Sequence, residues 1–483
     1  VKHKHIENEH NDYIKEVLLP HENSRLGPGI AIGDINGDKL EDFIVGGAKD
    51  QPTAFYFQKS DGSFYSKTFS FSKEHSKYED MDMILEDFDN DGDKDLYIVS
   101  GGNEFEPNTP ILKDRLYVND GKGLFSFDDN SLPNNFSSGM RVSAEDYDKD
   151  GDLDLFVGGR VVPGSYPLPA ESFLLENITN DNGIKFKNAD ESIFSYKEIG
   201  LVTSSVWTDY NDDGWTDLIV VGEWTPIKFY KNIEGKFSED TSLIDVDSTR
   251  GWWYDIVAED FDKDGDMDLV IGNLGNNYKY QTSGDETFDI FYNDFDQNNT
   301  GDIVLSYYND GEQYPLRGRQ CSSDQIPAIK MKFQDYDAFS IATLEDVYTE
   351  PALENSLHYF TKTFSSVYLE NTGNSFKMSN LPTLTQLSSI NKILKKDIDK
   401  DGYIDIVVSG NMYNSEVETP RNDGSVGVYL KYTPNIGFEA VSTQKSGLFI
   451  NGDVKDMEFI SFNDNEYIIS AKNDDFIEFT KIK

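Results

Sequence analysis

The sequence predicts an all-β fold, a β-propeller of seven blades with a small helical insertion, eight being the alternative count. Three observations point there. A nine-residue acidic stretch recurs seven times, each copy lies between short β-branched or aromatic runs, and most copies are one blade-length apart.

The stretches are DINGDKLED, DFDNDGDKD, DYDKDGDLD, DYNDDGWTD, DFDKDGDMD, DFDQNNTGD and DIDKDGYID. Positions 1, 3, 5 and 9 are occupied by Asp34, Asn36, Asp38 and Asp42; Asp87, Asp89, Asp91 and Asp95; Asp146, Asp148, Asp150 and Asp154; and Asp209, Asn211, Asp213 and Asp217. The last three copies supply Asp260, Asp262, Asp264 and Asp268; Asp294, Asp296, Asn298 and Asp302; and Asp397, Asp399, Asp401 and Asp405. So many converging carboxylates repel one another unless a cation neutralises them. A hard, flexibly coordinated ion with oxygen ligands is the natural partner, which predicts six or seven Ca2+ ions, with the carbonyl of position 7 completing each shell. An EF-hand would place a bidentate Glu at position 12, where this chain has Val45, Ile98, Val157, Val220, Ile271 and Val408. The turn is therefore of another kind. Position 6 favours left-handed backbone, so Lys39 in place of glycine weakens the first turn, and the 294–302 copy departs furthest from the pattern.

Runs such as GIAIGD and DMILED precede the turns, and DFIVGG and DLYIVSGG follow them, so each turn closes a β-hairpin. A second strand pair follows in FYFQKSDGSFYSK, LYVNDGKGLFSF, FLLENITNDNGIKF, KFYKNIEGKFSE and VYLENTGNSFKM. Successive first aspartates lie 53, 59, 63, 51, 34 and 103 residues apart, and a four-stranded blade needs roughly 40 to 50. Blades then begin near Leu26, Tyr78, Ser138, Val202, Trp252, Asn391 and Gly452. The 294–302 turn comes too soon after its predecessor and is expected to join the last two strands of the 260–268 blade. Residues 317–364 read as an insertion with one helical stretch at 335–348, and an eighth blade would need 302–381. Residues 452–483 hold three strands and no acidic turn; residues 4–19 are expected to add the fourth and close the ring.

The chain resembles the FG-GAP/VCBS repeat proteins, whose calcium blades also build the integrin α head. Within these it is more similar to Bacteroidota surface proteins related to the cartilage acidic protein family. SRLGPGIAIGDINGD, GEWTPIKFY, GWWYDIVAEDFDKDGDMDLVIGNLGNN, YPLRGRQCSSDQIPAIKMKF and AKNDDFIEF carry the resemblance, and no VEWPSG-like segment of the ASPIC/UnbV module is present. The resemblance implies an exported protein, an outer-membrane lipoprotein facing outward, acting with a SusC/SusD-type transporter or another surface protein.

Composition agrees with export. The net charge is −45, from 88 acidic and 43 basic residues, and seven calcium ions would offset 14 of it. Nucleic acid and anionic membranes are poor partners for such a surface. The single cysteine, Cys321, excludes an internal disulfide framework. Weak calcium sites fill only outside the cytoplasm. The sequence shows no signal segment, lipobox cysteine or membrane-spanning run, so any lipid anchor is expected to lie outside this chain.

The side opposite the turns collects starts of first strands and ends of second strands. Arg25, Arg141, Arg160, Trp224, Trp252, Trp253, Asn277 and Tyr413 form the expected ligand or partner face, with Asn103, Glu104 and Glu223 nearby. Rings among polar groups suit a glycan or peptide; for Trp252 and Trp253 the competing expectation is packing between blades. No HExxH, GxSxG or CxxC motif is present, so no catalytic residue is assigned. The expected function is non-catalytic binding; the alternatives are a polysaccharide lyase or hydrolase, whose two carboxylates could hide among so many, and an integrin-like adhesin.

Overall fold

The computed structural model describes residues 1–195 and 199–482. Each acidic turn is flanked by two strands that pair antiparallel in one recurring register. Position 9 opens the outgoing strand and faces the last residue of the incoming one, as in Gly33↔Asp42, Glu86↔Asp95, Glu145↔Asp154, Thr208↔Asp217, Glu259↔Asp268 and Lys396↔Asp405. The incoming strands, lettered A, are Ile30–Gly33, Asp80–Glu86, Gly139–Glu145, Leu201–Thr208, Gly251–Glu259 and Ile390–Lys396. Their B partners, such as Asp95–Ser100 and Asp154–Gly159, are buried along their whole length, which is why they read as continuous apolar runs rather than alternating ones.

Outer strands C and D complete each unit as a four-stranded antiparallel sheet in the order A-B-C-D. The fourth and fifth units are also joined edge to edge by Glu223↔Trp252 and Thr225↔Gly251. A last unit, Val454–Phe462, Asn465–Lys472 and Glu478–Lys481, has no acidic turn. The A strands touch in chain order from the first unit to the last, and the last touches the first. Radial antiparallel sheets with their first strands in a closed ring make a β-propeller.

Neighbouring units pack face to face through apolar layers. Ala31, Ile44, Phe55, Met83, Leu96 and Tyr117 fill the space between the first two units; Tyr147, Phe156, Leu174, Val202, Leu218 and Tyr230 do the same for the third and fourth. From the second unit onward the A–B register slips once near the start of A, beside Asp82, Arg141, Ser204, Asp255, Lys392 and Asp456. Such bulges re-aim a side chain, and these six residues line one central cavity of about 370 Å3.

Four expectations are corrected. The Asp294 turn does not join outer strands of the Asp260 blade. It connects Phe288–Asn293 to Asp302–Asn309 within a separate four-stranded sheet, inserted between strand B (Asp268–Asn273) and strand C (Val367–Asn371) of the fifth unit. The insertion thus spans 274–366 rather than 317–364, and 302–381 is divided between that sheet and the fifth unit's outer strands. In place of one helix near 335–348, five short ones run from Arg319–Gln325 to Glu350–Glu354. New starts at Asp335, which caps the Ala338 N–H, and at the Thr343–Asp346 capping box divide them. The N-terminal strand is also far shorter than 4–19. Only the Lys4↔Phe476 bridge and its neighbours pair with the last unit, because Asp12 is spent on the N–H groups of Asn23 and Ser24, and Leu18 and Leu19 leave to enter a core.

Candidate functional site

The seven acidic turns share one backbone conformation. Positions 4 and 6 are left-handed in every copy, from Gly37 (φ 76°) and Lys39 (φ 69°) in the first to Lys400 (φ 62°) and Gly402 (φ 95°) in the last. In the irregular copy Asn299, at φ 67°, takes the position 6 conformation, so the turn at 294–302 keeps the geometry without glycine there. Hydrogen bonds explain the shape. The position 1 carboxylate accepts from the N–H groups of positions 5 and 6, as Asp87 does from Asp91 (3.1 Å) and Gly92 (2.9 Å), and Asp294 from Asn298 (2.9 Å) and Asn299 (2.8 Å). Position 5 accepts from the N–H of position 7 in all seven, at 2.7 to 3.1 Å.

These bonds leave carboxylate oxygens facing one another. Ligand atoms from Asp87, Asp89 and Asp91, from Asp146, Asp148 and Asp154, from Asp260, Asp262 and Asp264, and from Asp294, Asp296 and Asp302 converge within 4.8 Å. Buried oxygens of Asp89, Asp154, Asp296 and Asp397 have no hydrogen-bond partner. Orphaned oxygens on converging hard ligands fit a calcium ion, which these residues would hold. The last turn also draws on strand C: Lys431 pairs with Asp399, and with Asp401 at 2.8 Å.

Position 9 is the buried member. Desolvation by burial pushes Asp154 up to about 8, Asp95 and Asp217 to about 7, and Asp42, Asp268 and Asp302 to about 6. In four units one oxygen of this residue is tied to the strand C terminus, accepting from the N–H of Asn119, Asn177, Asn232 and Asn371 at 2.7 to 2.9 Å. Those asparagines do a second job. Each side-chain amide donates to the position 8 carbonyl of its own turn and to the position 2 carbonyl of the preceding unit's turn: Asn119 to Ile35, Asn177 to Phe88, Asn232 to Tyr147 and Asn371 to Tyr210, all at 2.8 to 2.9 Å. Adjacent turns are thereby clamped together. The sequence carried this signal in LYVN, LLEN, FYKN and YLEN, where the asparagine reads as a turn former.

The opposite side is built differently. Trp224, Trp252 and Trp253 are fully buried and cannot be a ligand platform. Trp224 and Trp252 pack with Leu18 and Leu19 of the N-terminal segment and Phe288 and Ile290 of the inserted sheet, which together cover this end of the ring; Trp253 lies in a core between units. Arg160 is buried too, paired with Glu223, whose other oxygen meets His21 Nε2 (3.0 Å) and the Tyr166 hydroxyl. Burial opposes ionisation, yet Arg160 and His21 hold the Glu223 carboxyl well below the usual range. Arg141 points into the central cavity, between Asp82 (3.5 Å) and Asp255 (3.4 Å). Of the expected face, Asn277 is exposed, Tyr413 is half-buried under Arg421, and half-buried Arg25 pairs with Glu22 at 3.2 Å. A groove of about 480 Å3 opens here between the turn at Glu9–Glu16, Arg25, and the loops at Asn103–Glu106 and Gly164. Among the described residues no helix is long and apolar enough to cross a membrane.

The family described as FG-GAP-like repeat matches residues 34–98, 87–157 and 209–271, each match running from one acidic turn to the B strand of the next unit. The chain is a β-propeller, and these three stretches of it match the FG-GAP-like repeat. No curated protein sequence matches it. Among solved structures it is similar to Sqt1 of Saccharomyces cerevisiae, at 8% identity and TM-score 0.44, covering 96% of this chain and 97% of that one. It is also similar to the biofilm matrix protein Bap1 of V. cholerae, at 12% identity and TM-score 0.33, over 99% and 90% of the two chains. The fold assignment rests on strand topology, not on these overlaps.

Proposed function

We propose that this protein is an exported, calcium-stabilised propeller of seven blades that acts as a non-catalytic binding subunit at the bacterial surface. The repeated turn geometry carries the reading. Seven turns of one shape, four of them with three carboxylates whose ligand atoms converge within 4.8 Å, have no use for so much like charge unless cations fill them. Filled calcium sites of this class belong to an extracellular setting, where they take the place of disulfides. The opposite side departs furthest from the repeat, and its groove, walled by Arg25, Lys15 and His10 among acids, is where a partner would dock. The sequence resemblance makes an outer-membrane uptake assembly of SusC/SusD type the leading partner, the protein being attached to that membrane through a lipid anchor. An enzyme acting on carbohydrate and an adhesin are the rival readings.

Two experiments test this. Elemental analysis should find six or seven calcium ions per chain, and EGTA should lower the melting temperature steeply, since each site at about ten times its Kd contributes about 1.4 kcal/mol. Metal-free protein of unchanged stability would refute the calcium reading. Native purification from membranes should bring down a transporter, and incubation with neutral and anionic polysaccharides should release no new ends. Recovery of a lone monomer, or release abolished by one carboxylate substitution, would overturn the binding role.

A further inference from the structure

A second kind of metal-ligating cluster lies away from the aspartate turns, where the N-terminal segment crosses the junction of the last, first and second units. Backbone pairing fixes that segment: His5 N–H donates to Asp475 O (2.9 Å), and Gln51 of the first unit donates its amide to Lys4 O (2.8 Å) while accepting from Ile6 N–H (2.9 Å). His5 and Glu7 are thus held inward. Glu79, directly before strand Asp80–Glu86 of the second unit, meets them there with its Oε2 accepting from Lys49 N–H (2.7 Å).

One ligand atom from each of His5, Glu7 and Glu79 lies within 4.8 Å of the other two. Burial makes this unusual. His5 and Glu79 are 0% exposed and the Glu7 side chain is 2% exposed. Glu7 Oε2 and Glu79 Oε1 have no hydrogen-bond partner, and both oxygens of neighbouring Glu104 are buried and unpartnered as well. Among the described residues no lysine or arginine forms an ion pair with any of these three glutamates; the ionisable partner within 4 Å is His5, whose Nδ1 lies 3.9 Å from Glu7 Oε1. Carboxylates taken out of water either stay protonated or meet a compensating positive charge; Asn473 and the Lys49 N–H donate to one oxygen each of Glu7 and Glu79, and the orphaned oxygens are left for a proton or a cation.

We propose that His5, Glu7 and Glu79 form a buried site for a divalent transition-metal ion, chemically distinct from the aspartate turns, with Glu104 as a further oxygen donor at its rim. The imidazole sets the class of ion. Calcium takes oxygen ligands, whereas one imidazole with carboxylates suits zinc and its transition-series neighbours. In a tetrahedral zinc site two ligand atoms stand about 3.3 Å apart, so the three side chains must draw together from their present spacing, within 4.8 Å, to close on the ion. Ligation through Nδ1 would replace the long 3.3 Å bond that this nitrogen accepts from Asp474 N–H. The ion would tie the chain's first residues to the second unit. This inference does not depend on the calcium sites or on the binding role.

The test uses the full chain, produced in zinc-supplemented medium and purified in millimolar calcium so that the aspartate turns are occupied. Elemental analysis should find about one zinc per chain after gel filtration. Glu79→Gln, which keeps the shape and removes the charge, should lower retained zinc about tenfold or more, while Asp264→Asn should leave it unchanged. Cobalt-loaded wild-type protein should show visible d–d absorption, and X-ray absorption on the zinc form should report a single imidazole; these readouts stand even if Glu79→Gln fails to fold. Wild-type protein without stoichiometric zinc or cobalt would overturn the proposal. So would zinc retained equally by Glu79→Gln, or zinc without imidazole scattering that is lost in Asp264→Asn.

Discussion

The two sides of the ring solve the same problem, anchoring the ends of inner strands, by opposite means. On the turn side one local motif repeats, and its residues lie within nine positions of one another apart from the clamping asparagine. On the other side the inserted sheet, residues 9–26 and a buried Arg160–Glu223–His21 network converge from distant parts of the chain. Repetition leaves the first side modular; the second is unique and tuned by packing. A binding surface is expected where the repeat is broken, because identical blades offer a partner nothing to tell one from the next.

Perturbations should separate the two sides. The largest effect is expected from Arg160→Met, which strands Glu223 as a buried charge and should cost about 3 to 5 kcal/mol in urea unfolding while leaving calcium affinity unchanged. A change in calcium affinity there would mean the sides are coupled. Asn232→Ala removes bonds to two buried carbonyls and should cost about 2 to 3 kcal/mol; it should also weaken calcium binding at two adjacent turns, read by titration calorimetry. Loss at one turn only would dismiss the clamp as a carrier between units.

A pH series sharpens the comparison further. The position 9 carboxyls have folded pKa values raised above the unfolded value, so without calcium their contribution to stability is full below the unfolded pKa, about 4, and is lost as pH rises through about 6 to 8. Calcium needs the ionised form. The stabilisation it gives should therefore grow from pH 5 to pH 8, as differential scanning calorimetry at fixed calcium would show, and a pH-independent increment would exclude these groups as ligands. The smallest effect is expected from Lys39→Gly. Relief of the left-handed lysine at φ 69° should gain about 0.5 to 1 kcal/mol, and no gain would mean that Lys39 makes a compensating contact.

The turn side was largely legible in the sequence because its physics is local. Charge spacing gave the turn, β-branched runs gave the strands, and the interval between turns gave the closed array. Asn119, Asn177, Asn232 and Asn371 escaped because asparagine after a strand is ordinary turn chemistry, and their second partner lies 84 to 161 residues away. Trp253 packs between units, which was the competing expectation for it, whereas Trp224 and Trp252 were placed on the ligand face because aromatic rings at strand ends look exposed until the covering layer is placed. That layer comes from residues 18–19 and 288–305, which the one-dimensional pattern does not bring together. The Asp294 turn was misplaced for the same reason: spacing alone does not reveal which sheet a hairpin joins.

The pairing of His3 and His5 with Ile477 and Asp475 carries a consequence for how the molecule is made. Residues 3–5 must wait for residues 475–477 before the circle can shut, so loop-closure entropy falls due only once both stretches have been made. Until then the nascent chain is an open arc with two raw edges, a state in which chaperone capture would guard it against sticking to its neighbours.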